Sequence, residues 1–287
     1  MKEKVKQPII TQKELNKISR YMQEVKKGGY RPWVTVRSSH TIGQGQVIYS
    51  HKTKRVHHFL SRGELQPFFH FEHDPNVIDI FEQYPLPIKE TMEIAKELNI
   101  VHPGAYQEAP DFGGNVPAKT MSTDYVVRYK NKQLCAFNFK YADSLDPEET
   151  SPQAVTRTNA KNEIEREFFT RHNMGWIQYT EKSFDHNVTA NLKYLRECFD
   201  HEDELAVEDQ FKAIVLSRLK VGFINNPEAT VRQILELVAT ECGISLFQAQ
   251  CLFQWLTYHR ILDFNWLVPI NLNRPLSLLG QEVNNAG

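Results

Sequence analysis

Three polar residues interrupt two apolar runs near the middle of the chain, and together they have the chemistry of a hydrolytic metal site. Thr123–Tyr129 and Gln133–Phe139 are predicted strands, because β-branched, aromatic and apolar residues dominate both. Asp124 lies in the first strand, and Asn138 and Lys140 lie at the end of the second. Carboxylate and amide oxygens are ligands for a hard cation such as Mg²⁺, and a nearby ammonium group can assist an attacking water.

The turn between these strands decides whether the three side chains can meet. Side chains alternate between the two faces of a strand, so Asn138 and Lys140 share a face. A two-residue turn at 131–132 would place Asp124 opposite Phe139, on the wrong face. A three-residue turn places it opposite Asn138 or Lys140. The metal site therefore requires an odd-length turn or a bulge, and the alternative is an ordinary hairpin with polar residues at its rim.

Composition favours a soluble, globular protein in a reducing compartment. The chain has 287 residues, of which 24% are charged and 41% hydrophobic. Its four cysteines, at 135, 198, 242 and 251, form no C-x-x-C pair, which argues against a zinc site and for reduced thiols. We find no apolar run of the roughly 20 residues that cross a bilayer, and no apolar segment typical of a signal peptide near the first residue. We expect a cytoplasmic protein without membrane contact.

Charge is distributed unevenly along the chain. Residues 1–62 contain 14 Lys and Arg against three Glu, a net charge of +11, whereas the remainder contains 20 basic and 32 acidic residues, a net charge of −12. Aromatic residues alternate with cations in this basic N-terminal region, which is typical of nucleic-acid binding. The alternative is a solvated basic arm. The candidate DNA-binding residues are Arg31, Arg37, Lys52, Lys54 and Arg55, beside Tyr30, Trp33 and Tyr49.

The first 185 residues alternate between helical and strand patterns, which predicts a mixed α/β layer. Ser61 and Glu64 have the spacing of a capping box, so Glu64 is expected to cap the helix that follows. His57 and His58 are adjacent in a predicted strand and would point to opposite faces, so they are interpreted as ordinary strand residues and not as a metal pair. Helices are predicted at 11–27, 61–71 and 151–172, and strands at 47–50, 55–60, 76–86 and 175–180.

The last hundred residues predict helices followed by a β-hairpin. Helical patterns cover 187–199, 210–220, 230–239 and 245–258, and strands are predicted at 260–265 and 266–271. Three helices and a hairpin are the pattern of a winged helix. The expected recognition helix, 246–258, carries glutamines at 248, 250 and 254 but no Lys or Arg, whereas a DNA-groove reader usually carries more cations. This composition favours protein docking over DNA reading.

The order of the candidate residues resembles a known family. Glu64 on a helix, then Asp124, then Asn138-Phe139-Lys140, resembles the PD-(D/E)xK motif of the restriction-endonuclease-like fold. Segments 50–61 (SHKTKRVHHFLS), 79–86 (DIFEQYPL), 121–127 (MSTDYVV) and 176–184 (WIQYTEKSF) are similar to TnsA, the endonuclease subunit of heteromeric, TnsABC-type transposases. The resemblance implies an α/β fold with a restriction-endonuclease-like mixed sheet flanked by helices in a nuclease domain at 1–185, and a winged-helix domain at 186–287.

The resemblance also implies a role for each site residue. Glu64 and Asp124 would be Mg²⁺ ligands, with Mn²⁺ able to substitute, and Asp124 could bridge two metal ions. Lys140 would orient or polarise the attacking water. Asn138 stands where the family usually has Gln or Glu, so its shorter side chain could reach the metal directly or through a water. The carbonyl oxygen of Phe139 is a further candidate ligand.

The function implied by the resemblance is cleavage of one DNA strand, the 5′ strand, at each transposon end during cut-and-paste transposition in a bacterium. The implied partners are transposon-end DNA, a TnsB-type transposase that cuts the other strand, and a TnsC-type AAA+ ATPase that regulates both. The alternative is a non-catalytic DNA-binding adaptor of the same complex, in which Asn138 marks lost chemistry.

Overall fold

The computed structural model describes residues 4–39 and 45–279, so parts of the basic N-terminal region 1–62 lie outside the described residues. The chain divides into two compact units, Met1–Ser183 and Phe184–Gly287. No helix in the described ranges is long and apolar enough to cross a membrane.

The first unit contains the alternating helices and strands that the sequence predicts. The sequence pattern placed most of these elements within a few residues of their observed bounds. They are, in chain order, α1 Gln12–Gly28, β1 Gln46–Ser50, β2 Arg55–Phe59, α2 Arg62–His73, β3 Val77–Pro85, α3 Ile88–Glu97, β4 Ser122–Tyr129, β5 Leu134–Phe139, α4 Pro152–Arg171 and β6 Gly175–Tyr179.

The four strands β3, β4, β5 and β6 form a mixed sheet in that order. Strands β3, β4 and β5 are antiparallel, whereas β6 runs parallel to β5 and is reached through α4. The β4–β5 turn spans three residues, since Tyr129 N donates to Gln133 O at 3.0 Å, and Lys132 adopts a left-handed φ of 67°. Tyr125 therefore lies opposite Phe137. The odd-length turn that the metal site requires is confirmed.

Helices cover both faces of this sheet. Val126 and Ala136 point to one face, where they join a buried cluster with residues of α3 and α4. Tyr125 and Phe137 point to the other face, and both rings contact Phe71 of α2. Because α2 packs on the face opposite α4, side chains of both helices can contact residues near one end of the sheet. The mixed sheet flanked by helices is a restriction-endonuclease-like fold.

The second unit is helical in its described part, and the predicted hairpin is wrong. Its helices are α5 His186–Leu195, α6 Glu202–Leu205, α7 Asp209–Asn225, α8 Val231–Cys242 and α9 Leu246–Tyr258. Neither 260–265 nor 266–271 forms a strand. The first N–H groups of α8 donate to this C-terminal segment instead, Val231 to Arg274 O and Arg232 to Leu272 O, both at 2.9 Å. The segment therefore satisfies a helix end rather than a β ladder, and a winged helix is not confirmed.

Helix α9 is the centre of this unit and not an exposed reading helix. Leu252, Phe253 and Leu256 are fully or almost fully buried. The side chain of Gln254 donates to Tyr194 O at 2.8 Å, and that of Gln248 donates to Glu204 O at 3.3 Å. Two of the three glutamines that could have read base edges therefore bond inside the unit.

Candidate active site

Asp124 lies where the pairing of β4 with β5 ends. Its Oδ2 accepts a hydrogen bond from the backbone N–H of Phe139 at 2.7 Å, so a side-chain carboxylate takes the place of the backbone carbonyl that would continue the ladder. Lys140 N–H instead bonds to Tyr179 O of β6 at 2.9 Å. The end of β5 therefore stays joined to β6 and departs from β4 at Asp124.

Glu64 reaches the same place from α2. The helix begins against β5, and a Cβ on Gly63 would lie 2.1 Å from the ring of Phe139, so only glycine permits this approach. Half of the predicted capping box is present, since Glu64 N–H donates to Ser61 Oγ at 3.2 Å, but no bond in the described part of the chain joins the Glu64 carboxylate to the Ser61 N–H. The Glu64 carboxylate accepts from Leu60 N–H at 3.1 Å and from the Ser61 hydroxyl at 3.2 Å. These bonds fix the carboxylate on the side of the sheet end that faces α2.

Gln83 joins the two carboxylates, and the site prediction did not include it. Its Nε2 lies 3.3 Å from Glu64 Oε2 and 3.3 Å from Asp124 Oδ1. The residue is 4% exposed and has a left-handed φ of 48° inside β3. A residue other than glycine adopts this conformation at a cost of roughly 1–2 kcal/mol. The sequence signal was weak, namely a glutamine beside Glu82 within an apolar strand.

The electrostatics of the pair favour a cation. Burial, and then the negative charge of Asp124, raise the pKa of Glu64 to about 7. The deprotonated carboxylates therefore repel one another across the Gln83 amide. Lys140 offsets part of this charge, since its Nζ lies 3.7 Å from Asp124 Oδ2 and donates to the Phe139 carbonyl oxygen at 2.7 Å. The side-chain oxygens of Glu64 and Asp124, the Phe139 carbonyl and the Lys140 ammonium, to which the resemblance assigns roles, therefore lie near one another.

Asn138 does not join this group in the way that the resemblance implies. It is fully buried and faces α4, where its Nδ2 donates to Glu165 Oε2 at 2.8 Å. Its Oδ1 has no hydrogen-bond partner among the described residues. The amide nitrogen of Asn138 is thus engaged by Glu165, and its role as a metal ligand stays a prediction. The physical reason for the difference is the short side chain of Asn138, whose amide nitrogen pairs with the carboxyl group of Glu165 on the α4 face.

Glu165 is a second residue that the site prediction did not include. It is fully buried on α4, and burial raises the pKa of its carboxyl group, while Lys161 at 3.8 Å from Oε1 opposes this shift. A buried acid on a helix with ordinary polar residues around it has no distinctive sequence signal. Its contact with Asn138 places a third carboxyl group next to the candidate site, on the side away from Glu64.

The donor set fits a magnesium ion. Glu64 and Asp124 present carboxylate oxygens to one shared point, now spanned by a neutral amide, and the Phe139 carbonyl lies beside Lys140. Among the described residues there is no group of three or more His, Cys, Asp or Glu side chains arranged to hold a metal ion. Two carboxylates with amide, carbonyl and water oxygens suit Mg²⁺, which retains several waters and does not need an all-protein cage.

Two of the predicted DNA-binding cations have partners inside the fold. Arg55 donates to both Glu82 carboxylate oxygens, at 3.0 and 2.7 Å, and His57 Nδ1 lies 2.9 Å from the same carboxylate. Lys52 donates to the carbonyl oxygens of Phe71, at 3.3 Å, and of Asp74, at the end of α2. Burial lowers the pKa of Lys52 to about 8. These two side chains hold β1 and β2 against the rest of the unit.

The other three predicted cations are exposed. Arg31 pairs with Glu24, whereas Arg37 and Lys54 extend from turns beside the β1–β2 pair. The aromatic residues divide in the same way, since Trp33 is buried against Tyr21 and Tyr49 is 44% exposed. His57 and His58 point to opposite faces, as predicted, with His57 buried. Arg37 and Lys54 are thus the predicted cations best placed to meet a phosphate.

The amino-acid sequence is similar to a known protein family and to a known protein. Residues 74–181 match the family described as TnsA-like endonuclease N terminal, a range that contains Asp124, Asn138 and Lys140 and begins after Glu64. The transposon Tn7 transposition protein TnsA of Escherichia coli is 35% identical over 171 residues, which cover 58% of this chain and 55% of that protein. The chain thus matches about half the length of this curated relative.

Proposed function

We propose that this chain is the endonuclease of a cut-and-paste transposition system, because residues 74–181 match the TnsA-like endonuclease N-terminal family and the chain is similar to the TnsA protein of transposon Tn7. Its substrate is transposon-end DNA, and it cleaves the 5′ strand at each end. One observation carries the proposal: Glu64, Asp124 and Lys140 come from three separate segments and meet at the end of the sheet.

Each residue has a distinct part in phosphodiester hydrolysis. Glu64 and Asp124 would hold a Mg²⁺ ion, which would supply Lewis-acid activation of the phosphate and of a water nucleophile. Asp124 fixes the end of β5 through the Phe139 N–H, which sets the position of the Phe139 carbonyl and of Lys140. The Lys140 ammonium offsets negative charge that develops on the phosphate oxygens. Asn138 and Glu165 support this arrangement from the α4 side.

The proposal is tested by a nicking assay with Mg²⁺ or Mn²⁺ on transposon-end duplexes that carry a different label on each strand. The full chain is assayed alone, with the TnsB-type transposase, and with both that transposase and the TnsC-type ATPase. We expect metal-dependent cleavage of the 5′ strand. DNA binding without cleavage under all of these conditions would favour the alternative, a non-catalytic adaptor, for which the Asn138 orientation is the supporting observation.

The second unit is proposed to dock a protein partner. Ile214, Val221 and Ile224 repeat at helical spacing on α7, and each is at least 46% exposed. An exposed apolar stripe of this kind suits a protein interface better than a DNA surface. The acidic residues at 202–204 and 208–209 would repel phosphate. Through the family resemblance we assign this surface to the ATPase.

Replacing Arg37 and Lys54 together with alanine is expected to weaken DNA binding equally for transposon-end and random duplexes. Phosphate contacts release counterions without reading bases, so the slope of log affinity against log salt should become shallower by about 1–2. Fluorescence anisotropy over a salt series measures this slope. The matched control is Lys89→Ala with Lys96→Ala, which removes the same charge from exposed positions on α3. An equal change in both double variants would indicate a net-charge effect alone.

Asn138→Gln is expected to destabilise the protein and to bring no gain in cleavage. Family resemblance alone predicts improvement, since glutamine restores the usual length. The site is fully buried against Glu165, however, and an added methylene in a packed site costs about 1–3 kcal/mol. Urea denaturation measures the loss, with the exposed Asn131→Gln in the β4–β5 turn as control. A faster, equally stable Asn138→Gln enzyme would contradict the observed packing.

A further inference from the structure

Gln83 has a left-handed backbone conformation, which is unusual for a residue within a strand. Its φ of 48° interrupts the alternation of β3, so that Phe81 and Tyr84 pack against the same apolar cluster. Glu82 and Gln83 are consecutive and both buried. Strained conformations of this type persist where the surrounding structure enforces them, and they concentrate at functional sites. At Gln83 the result of the strain is that one amide reaches two carboxylates.

The amide of Gln83 is held at both of its polar atoms. Nε2 spans Glu64 Oε2 and Asp124 Oδ1, and Oε1 accepts a hydrogen bond from the Ser122 hydroxyl at 3.0 Å. The two ends of an amide have nearly the same shape, and a serine hydroxyl can either donate or accept. Half a turn of the amide would therefore place Oε1 between the carboxylates and Nε2 against Ser122, which would then accept. The bond to Ser122 is preserved in both orientations.

We propose that Gln83 is a metal-ligand residue with two orientations. Without a cation, its Nε2 bridges Glu64 and Asp124, and with a divalent cation it presents Oε1 to the ion. This inference rests on the proposed function, in which those two carboxylates hold Mg²⁺. It supplies an oxygen donor on the side of β3, whereas the amide nitrogen of Asn138 donates to Glu165 on the α4 side.

Binding of Mg²⁺ alone, measured by isothermal titration calorimetry without DNA, tests the proposal. Gln83→Leu keeps the approximate size and removes both polar atoms, so its affinity for Mg²⁺ should fall roughly tenfold or more. Gln83→Glu keeps an oxygen and loses the N–H donors. This variant should bind Mg²⁺ at least as tightly as the wild-type protein. In EDTA its thermal unfolding temperature should fall, because three carboxylates then meet without a donor, and added Mg²⁺ should raise that temperature more than it does for the wild type.

Gln66→Leu is the matched control, since Gln66 lies on α2 with a buried amide oxygen and contacts neither carboxylate. Its affinity for Mg²⁺ should equal that of the wild type. If Gln83→Leu does not fold, as judged by circular dichroism, Gln83→Glu decides by its affinity and by its response to Mg²⁺. Wild-type affinity together with a wild-type thermal response to Mg²⁺ in Gln83→Glu, or wild-type affinity in a folded Gln83→Leu, would overturn the proposal.

The same titration separates this inference from the proposed function. Asp124→Ala removes a ligand on which both depend. Loss of Mg²⁺ binding in Asp124→Ala with unchanged binding in the Gln83 variants would overturn only the role of Gln83. Equal binding by Asp124→Ala and the wild type, or no binding by the wild type, would overturn the metal site and with it both proposals.

Discussion

Asp124→Ala is expected to abolish DNA cleavage while the protein remains folded. The substitution removes a carboxylate shared between the Gln83 amide and the Phe139 N–H, and with it the proposed metal ligand that also holds the end of β5. Loss of a central catalytic group lowers rates by about two orders of magnitude or more. Cleavage of labelled transposon ends in the presence of Mg²⁺ and the partner proteins measures the effect.

Asp79→Ala is the control for this substitution. Asp79 lies on the adjacent strand β3 and pairs with Arg128, 45% of whose side chain is exposed, so its removal should leave cleavage unchanged. An exposed pair of this kind contributes about 0–1 kcal/mol to stability. Cleavage by Asp124→Ala at the wild-type rate would show that the convergence of Glu64, Asp124 and Lys140 is not the active site.

Arg55→Ala is expected to lower the free energy of unfolding by about 3–5 kcal/mol, because it leaves the buried Glu82 carboxylate without its guanidinium partner. This outcome differs from the one that the basic N-terminal region suggests, which is a loss of DNA affinity in a stable protein. Urea denaturation followed by circular dichroism measures the change. The neighbouring Lys54→Ala is the control, and its exposed position predicts a change within about 0.5 kcal/mol.

The same network predicts a pH dependence. Burial raises the pKa of Glu82, but hydrogen bonds from His57 and Arg55 outweigh it and hold that pKa below its ordinary value of 4.5. Ionised Glu82 therefore contributes stability at neutral pH, and that contribution is lost as the pH falls below 4.5. Glu82→Gln should be less stable than the wild type at pH 7, and the difference should narrow in acid. A difference that stays constant with pH would assign the effect to packing alone.

The proximity of Asp124 and Lys140 could be predicted from the sequence because it follows from local rules. Strand alternation and the length of one turn are sufficient to align them, and both can be read within twenty residues. Gln83 could not be found in this way, since nothing in the letters around it requires a left-handed backbone. Its amide contacts Glu64 and Asp124, which lie 19 and 41 positions away in the sequence.

Long-range pairing also explains the other differences. Arg55 is one of several cations in a basic stretch, and only the fold shows that Glu82, 27 positions later, neutralises it. Asn138 meets Glu165 only after α4 crosses back over the sheet. In the second unit, 260–271 has the apolar residues of a hairpin. Its backbone groups instead find partners on Asn191, whose amide bonds to Trp266 O and Val268 O at 3.0 Å.

The contacts of Lys52 connect the turn between β1 and β2 to the end of α2. Lys52 secures the last carbonyl groups of α2, while Leu60 and Ser61 secure Glu64 at the first turn of the same helix. The β1–β2 pair connects these two sets of hydrogen bonds, so the turn at 51–54 is linked to the Glu64 carboxylate through the backbone. We therefore expect a displacement of that turn to move the Glu64 carboxylate as well, because hydrogen-bonded backbone connects the two. When this turn is replaced by that of a related protein, α2 should therefore be replaced together with it.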